Sequence, residues 1–181
     1  MTGLSRHHRG GLCAVAVVLV AGLVACGSGK EAQSSEPTIS YRAVDSATGK
    51  PVSLSDLRGR PALLSSWATW CAPCRKELPA LERLHQAQGT DGIQVVIVNL
   101  DEPTAASGAV QKMVDELGLT MTQWIDSDGT FTTTFRGVAV PMSVLLDASG
   151  RVVEKWHGPL DPDEPDVRRR LERALAERPE D

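Results

Sequence analysis

Two cysteines, Cys71 and Cys74, sit where a short apolar run, Ala62 to Trp67, gives way to a stretch from Pro73 to Gln88 that carries Leu78, Leu81, Leu84 and His85 at spacings of three and four. The run reads as a buried strand and the stretch as an amphipathic helix that stops near Gly89. A chain written this way places the pair where a strand ends and a helix begins. The first sulfur then lies beside unpaired backbone N–H groups and the positive end of the helix dipole, which favour a thiolate. Cysteine pKa values in such motifs fall from about 8.5 to between about 3.5 and 7.5, and the thiolate is the attacking species. Cys71 is therefore the expected nucleophile, and Cys74, which the helix buries, the residue that resolves a mixed disulfide.

The neighbours fit that chemistry. Pro73 fixes φ in the first helical turn, where its missing N–H costs nothing. Trp70 offers a flat apolar surface beside the sulfur, or else packs into the core as an ordinary aromatic. Two blander readings of the cysteine pair are a static disulfide, which over so short a loop stabilises little by chain entropy, and half of a zinc site. Zinc usually takes four ligands, and beyond the pair this region offers only His85 and His157 as imidazoles, so no metal is expected.

The other elements follow from pattern. Thr38 to Ala43 and Val52 to Leu54, joined by the turn-rich Ser46 to Pro51, read as an N-terminal hairpin. Ile93 to Leu100 is apolar enough for a central strand with both faces covered. A helix over Ala109 to Leu117 ends at Gly118, and a strand over Thr122 to Ile125 is followed by a turn at Asp126 to Gly129 and a short helix over Phe131 to Arg136. Ser143 to Leu146 and Val152 to Trp156 form a second hairpin, and Asp163 to Glu177 closes the chain as a helix with Val167, Leu171, Ala174 and Leu175 on one side. A parallel βαβ unit joined to an antiparallel ββα unit predicts an α/β, thioredoxin-like fold. It has a central mixed sheet flanked by helices, an N-terminal β-hairpin and a central αβ insert.

The first segment reads as an address. Arg6, His7, His8 and Arg9 precede an apolar run from Leu12 to Ala25, the layout of a secretory signal too short to span a membrane comfortably. Leu23-Val24-Ala25-Cys26 resembles the lipobox of bacterial lipoproteins, which implies lipidation at Cys26. An uncleaved short anchor or a soluble-type signal stays open beside it. Gly27 to Pro37 has no apolar periodicity and is rich in Gly, Ser and charge, as a tether is. The domain assignment is a signal peptide over 1–25, a flexible tether over 26–38 and a thioredoxin-like domain over 39–181.

Composition narrows the partners. Removing residues 1–25 leaves 17 basic against 23 acidic residues, a net charge of −6, and the one dense basic run, Arg168-Arg169-Arg170, lies in a charge-mixed helix. Nucleic acid is not an expected partner, because phosphate backbones are bound by clustered Lys and Arg. A domain of this length folds without disulfide staples. Export nonetheless places Cys71 and Cys74 where disulfides persist.

Ser66-Trp67-Ala68-Thr69-Trp70-Cys71-Ala72-Pro73-Cys74-Arg75-Lys76-Glu77-Leu78-Pro79-Ala80-Leu81-Glu82 resembles the active-site signature of TlpA/ResA-like thioredoxin-fold proteins, and the likeness extends more thinly over Ile39 to Ala176. The resemblance implies an extracytoplasmic, membrane-anchored thiol-disulfide oxidoreductase acting on cysteine pairs of exported proteins. A reductant is the implied direction, with cytochrome c maturation as a setting. It also implies an electron donor or acceptor in the membrane, a monomer and no cofactor. Pro141 falls where the family has a cis-proline facing the cysteines, with Val140 offering backbone groups to an extended substrate segment. A trans proline opening an edge strand is the alternative. Glu77, where the family also has Glu, either tunes the sulfur pKa or is a surface carboxylate, and Pro79 matches the family's helix kink.

Two departures stand out. Ser65 occupies the position of thioredoxin's buried Asp, and Val138-Ala139-Val140-Pro141-Met142 lacks the usual Gly or Thr near the proline. The sequence therefore offers no obvious base for the Cys74 proton. A second function, copper handling by Cys71, Cys74 and His157 in the manner of Sco-type metallochaperones, remains beside the first, although those proteins separate their cysteines by three residues rather than two.

Overall fold

The computed structural model of the chain describes residues 39–102 and 107–177. The signal segment, Cys26 and the tether lie outside the described residues. A seven-stranded sheet runs in the order β2-β1-β5-β4-β3-β6-β7, built from β1 (Arg42–Asp45), β2 (Pro51–Ser53), β3 (Ala62–Trp67), β4 (Gln94–Asn99), β5 (Thr122–Ile125), β6 (Met142–Leu146) and β7 (Val152–His157). The helices are α1 (Ala72–Gln88), α2 (Ser107–Leu117), α3 (Phe131–Phe135) and α4 (Pro165–Ala176). This is the thioredoxin-like arrangement expected, with α2 and β5 as the insert.

β3 and β4 lie at the centre because both of their faces are apolar. Leu63, Trp67, Val95 and Ile97 meet Leu78 and Leu81 of α1 and Val167 and Leu171 of α4 on one side. Ala62, Leu64, Val96 and Val98 meet Tyr41, Trp124, Phe131 and Phe135 on the other. A strand buried on two faces shows no alternation, which is why Ala62–Trp67 reads as an unbroken run.

The element boundaries differ from the sequence reading where side chains or pairing intervene. The first strand begins at Arg42 and runs on to Asp45, because Val44 and Asp45 pair with Ile125 and Trp124 of β5 as well as with the hairpin. Leu54 leaves the second strand for a short 3-10 turn, whose Asp56 accepts the Ser53 N–H at 2.7 Å. The last helix starts at Pro165 and not at Asp163, since the residue before a proline is pushed out of the helical region and Glu164 sits at ψ 132°.

The topology gathers the site at one end of the strands. β3 and β4 are parallel, so both deliver their C-terminal ends there, and β6, antiparallel to β3, starts at the same end. The loop to Cys71, the residues after Asn99 and the Pro141 segment therefore converge. α1 is clamped against the α2–β5 connection by Glu82. Its carboxylate accepts the Thr120 N–H at 2.8 Å, the Met121 N–H at 3.3 Å, the Gln86 side-chain amide at 2.9 Å and a short bond from the Thr120 hydroxyl. Burial by itself would raise the pKa of Glu82, but these donors outweigh it and hold the group below the ordinary carboxylate range.

Glu82→Ala strands backbone donors that the carboxylate satisfies, so it should lower unfolding stability by about 1–3 kcal/mol. Urea unfolding measures this as a lower midpoint at unchanged slope, and an unaltered midpoint would show that the clamp contributes nothing.

Candidate active site

Cys71 is the N-cap of α1, extended at φ −89° and ψ 97°, and its sulfur accepts the Cys74 backbone N–H at 3.2 Å. Ordinary helices fill this position with Ser, Thr, Asp or Asn to satisfy the same orphan donor. Here sulfur does so, and a negative charge on it is favoured by both the hydrogen bond and the dipole. Pro73, in the first turn, withholds no bond that the helix needs. Cys71 and Cys74 are joined by a disulfide with Cα atoms 5.3 Å apart.

Both cysteines are buried, Cys74 more completely than Cys71. Cys74 is buried, with Sγ 4.0 Å from the Ser66 carbonyl oxygen. Cys71 is only 4% exposed, while Trp70 beside it is 68% exposed and Val138, two residues before Val140 in the chain, is 85% exposed. Trp70 is thus no core aromatic. The Val140–Pro141 peptide is cis, which removes the trans alternative, and the Val140 carbonyl oxygen lies 3.7 Å from the Cys71 sulfur. Ser66 fixes this segment from below: its hydroxyl accepts the Met142 N–H at 2.9 Å and donates to the Met142 carbonyl at 3.2 Å. That serine therefore extends the β3–β6 contact one residue past the Ser65–Ser143 pair.

Glu77 is not a surface carboxylate. It is 5% exposed, and one oxygen, Oε1, accepts the Ser65 hydroxyl at 2.9 Å, with the Ser143 hydroxyl 3.0 Å from Ser65 Oγ and 3.5 Å from Oε1. The other oxygen, Oε2, is buried without a hydrogen-bond partner. Burial dominates and pushes the pKa up to about 7, with the Ser65 hydroxyl, the Leu160 amide and Ser143 pulling more weakly the other way. The position occupied by Asp in thioredoxin is Ser65 in this chain, but a buried acid reaches that serine from the helix. Glu77 lies three residues beyond Cys74, on the stripe that includes Leu78 and Leu81. That spacing was the signal that it is buried. Ser143 carried no comparable signal, because only pairing across β3 and β6 brings it to Ser65.

Among the described residues no group of three or more His, Cys, Asp or Glu side chains could hold a metal ion. His157 ends β7, exposed and paired in register with Met142, and makes no such group with Cys71 and Cys74, so nothing in the geometry favours copper handling. No helix of the described residues is long and apolar enough to cross a membrane.

The profile of the Redoxin family matches residues 28–171. The thiol-disulfide oxidoreductase ResA of Bacillus anthracis is 34% identical over 110 residues, which is 61% of this chain and 62% of that protein. ResA of Bacillus subtilis is 28% identical over 127 residues, 70% of this chain and 69% of its own length. The match therefore spans somewhat less than two thirds of the Bacillus anthracis protein. Among solved structures, a secreted disulfide oxidoreductase of Mycobacterium tuberculosis superposes with a TM-score of 0.59 at 25% identity, covering 77% of this chain and 96% of that one. StoA of Bacillus subtilis gives a TM-score of 0.61 at 24% identity, with 77% and 98% covered, and shares the fold.

The elevated Glu77 pKa has a stability consequence. Between about pH 4.5 and 7 the folded protein keeps a proton that the unfolded chain has released, so stability falls as pH rises through that window and levels off above it. The full effect is on the order of 3 kcal/mol. In urea unfolding of the oxidised protein at pH 5 and pH 8, Glu77→Gln should flatten the loss seen in the parent, and parallel pH profiles for the two would contradict the assignment.

Proposed function

The chain belongs to the Redoxin family, and from that premise we propose that it is an extracytoplasmic, membrane-anchored thiol-disulfide oxidoreductase that reduces cysteine pairs of exported proteins. The observation that carries this reading is the Cys74 N–H bonded to the Cys71 sulfur at the mouth of α1, beside the cis Val140–Pro141 peptide. The ResA relatives and the secreted Mycobacterium tuberculosis oxidoreductase support it.

In the reduced protein the Cys71 thiolate attacks one sulfur of a partner disulfide, forming the Cys71–partner bond while the second partner sulfur leaves as a thiolate and takes a proton from solvent. Trp70, Pro73, Val140 and Pro141 surround the point of attack and receive the partner as an extended segment, with Val140 supplying main-chain contacts. Cys74 then gives up its proton and attacks the Cys71 sulfur. The partner leaves as a dithiol and the Cys71–Cys74 disulfide closes, two electrons having passed to the partner. Glu77, one helical turn from Cys74 and with Oε2 open, accepts the Cys74 proton when it is itself ionised. A pKa near 7 suits that exchange at neutral pH. The resulting disulfide is returned to dithiol by a membrane electron donor.

Lipidation at Cys26, with residues 27–38 as a tether, would hold the domain near the outer face of the membrane, and cytochrome c maturation is the setting that the ResA likeness suggests. No cofactor enters the cycle, because both electrons travel through sulfur. A monomer suffices, since one chain supplies both sulfurs and the residues around them.

Cys74→Ser should trap mixed disulfides through Cys71, and insulin reduction by the dithiol should fall by at least a hundredfold in Cys71→Ser, whose hydroxyl is a far weaker nucleophile. Non-reducing electrophoresis of membrane extracts with mass spectrometry of the adducts reads the first, turbidity the second. Absence of adducts together with undiminished insulin reduction in Cys71→Ser would end this reading.

A further inference from the structure

The turn that delivers Cys71 has an anchor that disulfide exchange does not itself require. At one end the Trp67 carbonyl accepts the Leu100 N–H at 2.8 Å, extending the contact of β3 with β4. At the other the Cys71 N–H donates to the Ala68 carbonyl at 3.1 Å. Between them Thr69 is gripped twice by Asp101: its N–H donates to Oδ2 and its hydroxyl to Oδ1, each at 2.8 Å. Asp101 is in turn fixed from the end of β4. The Asn99 side-chain amide donates to Oδ2 at 2.8 Å, and the Asp101 N–H donates to Asn99 Oδ1 at 3.3 Å. Both residues are buried.

We infer that Asp101 is a positioning residue that ties the Ala68–Trp70 turn to β4 and thereby sets the reactivity of the Cys71 sulfur. The inference rests on the redox role proposed for Cys71. Residues 68–70 belong to neither β3 nor α1, so nothing in either ladder fixes the path between them. The 3.2 Å contact between the Cys74 N–H and the Cys71 sulfur requires Cys71 to hold its N-cap dihedrals, and hydrogen bonds weaken steeply as their geometry degrades. With Thr69 released, Cys71 samples poses in which its sulfur no longer caps the helix, and the thiolate loses support. Asp101 touches no reacting atom. Its effect passes through Thr69.

The test compares the reduced full-length protein with Asp101→Ala and Asp101→Asn, following iodoacetamide modification of the Cys71 peptide by mass spectrometry across pH. Asp101→Ala should move the midpoint up by about one pH unit, roughly tenfold slower modification on the acid side. Asp101→Asn preserves the bonding pattern: its amide oxygen takes the Thr69 and Asn99 N–H groups, and its NH2 donates to the Thr69 hydroxyl. It should titrate at or below the parent midpoint. Should Asp101→Ala fail to fold, Thr69→Val deletes one of the two bonds to the turn, and an upward shift there supports the inference.

Lower thermal stability in Asp101→Ala with an unchanged midpoint, or an unchanged midpoint in Thr69→Val, overturns the positioning role and leaves the redox reading standing. An upward shift in Asp101→Asn equal to that in Asp101→Ala also overturns it, because the bonding pattern that Asn keeps would then not be what sets the midpoint, and loss of a negative charge alone moves a thiol the other way. A parent protein that titrates like free cysteine, near pH 8.5, removes the redox reading and the inference with it.

Discussion

A single backbone amide decides what this molecule can do: the Cys74 N–H, left without a partner by the start of α1, finds the sulfur of Cys71. The contact exists because β3 ends two-faced and buried at Trp67 while α1 must begin within five residues, which leaves the chain one tight turn in which to reverse. Helix caps ordinarily use oxygen because oxygen is a good neutral acceptor. A sulfur there is a poorer acceptor when neutral and a better one when charged, so the helix stabilises the reactive form over the resting one. Everything else near the site serves to keep that sulfur in place or to bring a partner to it.

The surroundings divide by depth. Nearest the surface are the exposed Trp70, next to Cys71 in the chain, and the exposed Val138, two residues before the cis Val140–Pro141 peptide. Below them Ser66 holds the Met142 backbone through its hydroxyl and Asp101 holds Thr69, so the two segments that meet at the sulfur are each pinned to the sheet by a polar side chain. Deeper still is Glu77, whose burial lowers stability once it ionises and whose open oxygen faces no partner. A buried acid with half its bonding capacity unused is costly to a fold, and such costs cluster where protons are moved.

The central part of the fold was legible because the strongest signals were local. Ala62–Trp67 falls where its apolar run placed it, Thr122–Ile125 is the further strand expected there, and the cysteine helix ends at Gln88 just before a glycine in the left-handed region. The first hairpin forms as expected, with its second strand within a residue of its place, but its first strand lies further along the chain, since its extent is set by pairing of Val44 and Asp45 with β5, a partner far away in sequence. The cysteines, Trp70 and Pro141 announced themselves by motif. The acid did so only in part: Ser65 looked like a deletion of the buried carboxylate, and α1 supplies that carboxylate from another element. Ser143 carried no local signal at all, and Asp101 stood only within the thin family likeness that includes Val98-Asn99-Leu100-Asp101-Glu102, with nothing to mark its hold on Thr69. Each acquires its place from strand register, which no window of sequence reveals.

The central claim is that helix capping keeps the Cys71 sulfur ionised at neutral pH. The most direct measurement is the ultraviolet thiolate absorbance of Cys74→Ser as a function of pH, taken as the difference from the Cys71→Ser, Cys74→Ser double variant so that only Cys71 contributes. A midpoint between about 3.5 and 7.5 is the result predicted, and one at about 8.5 or above would contradict the account.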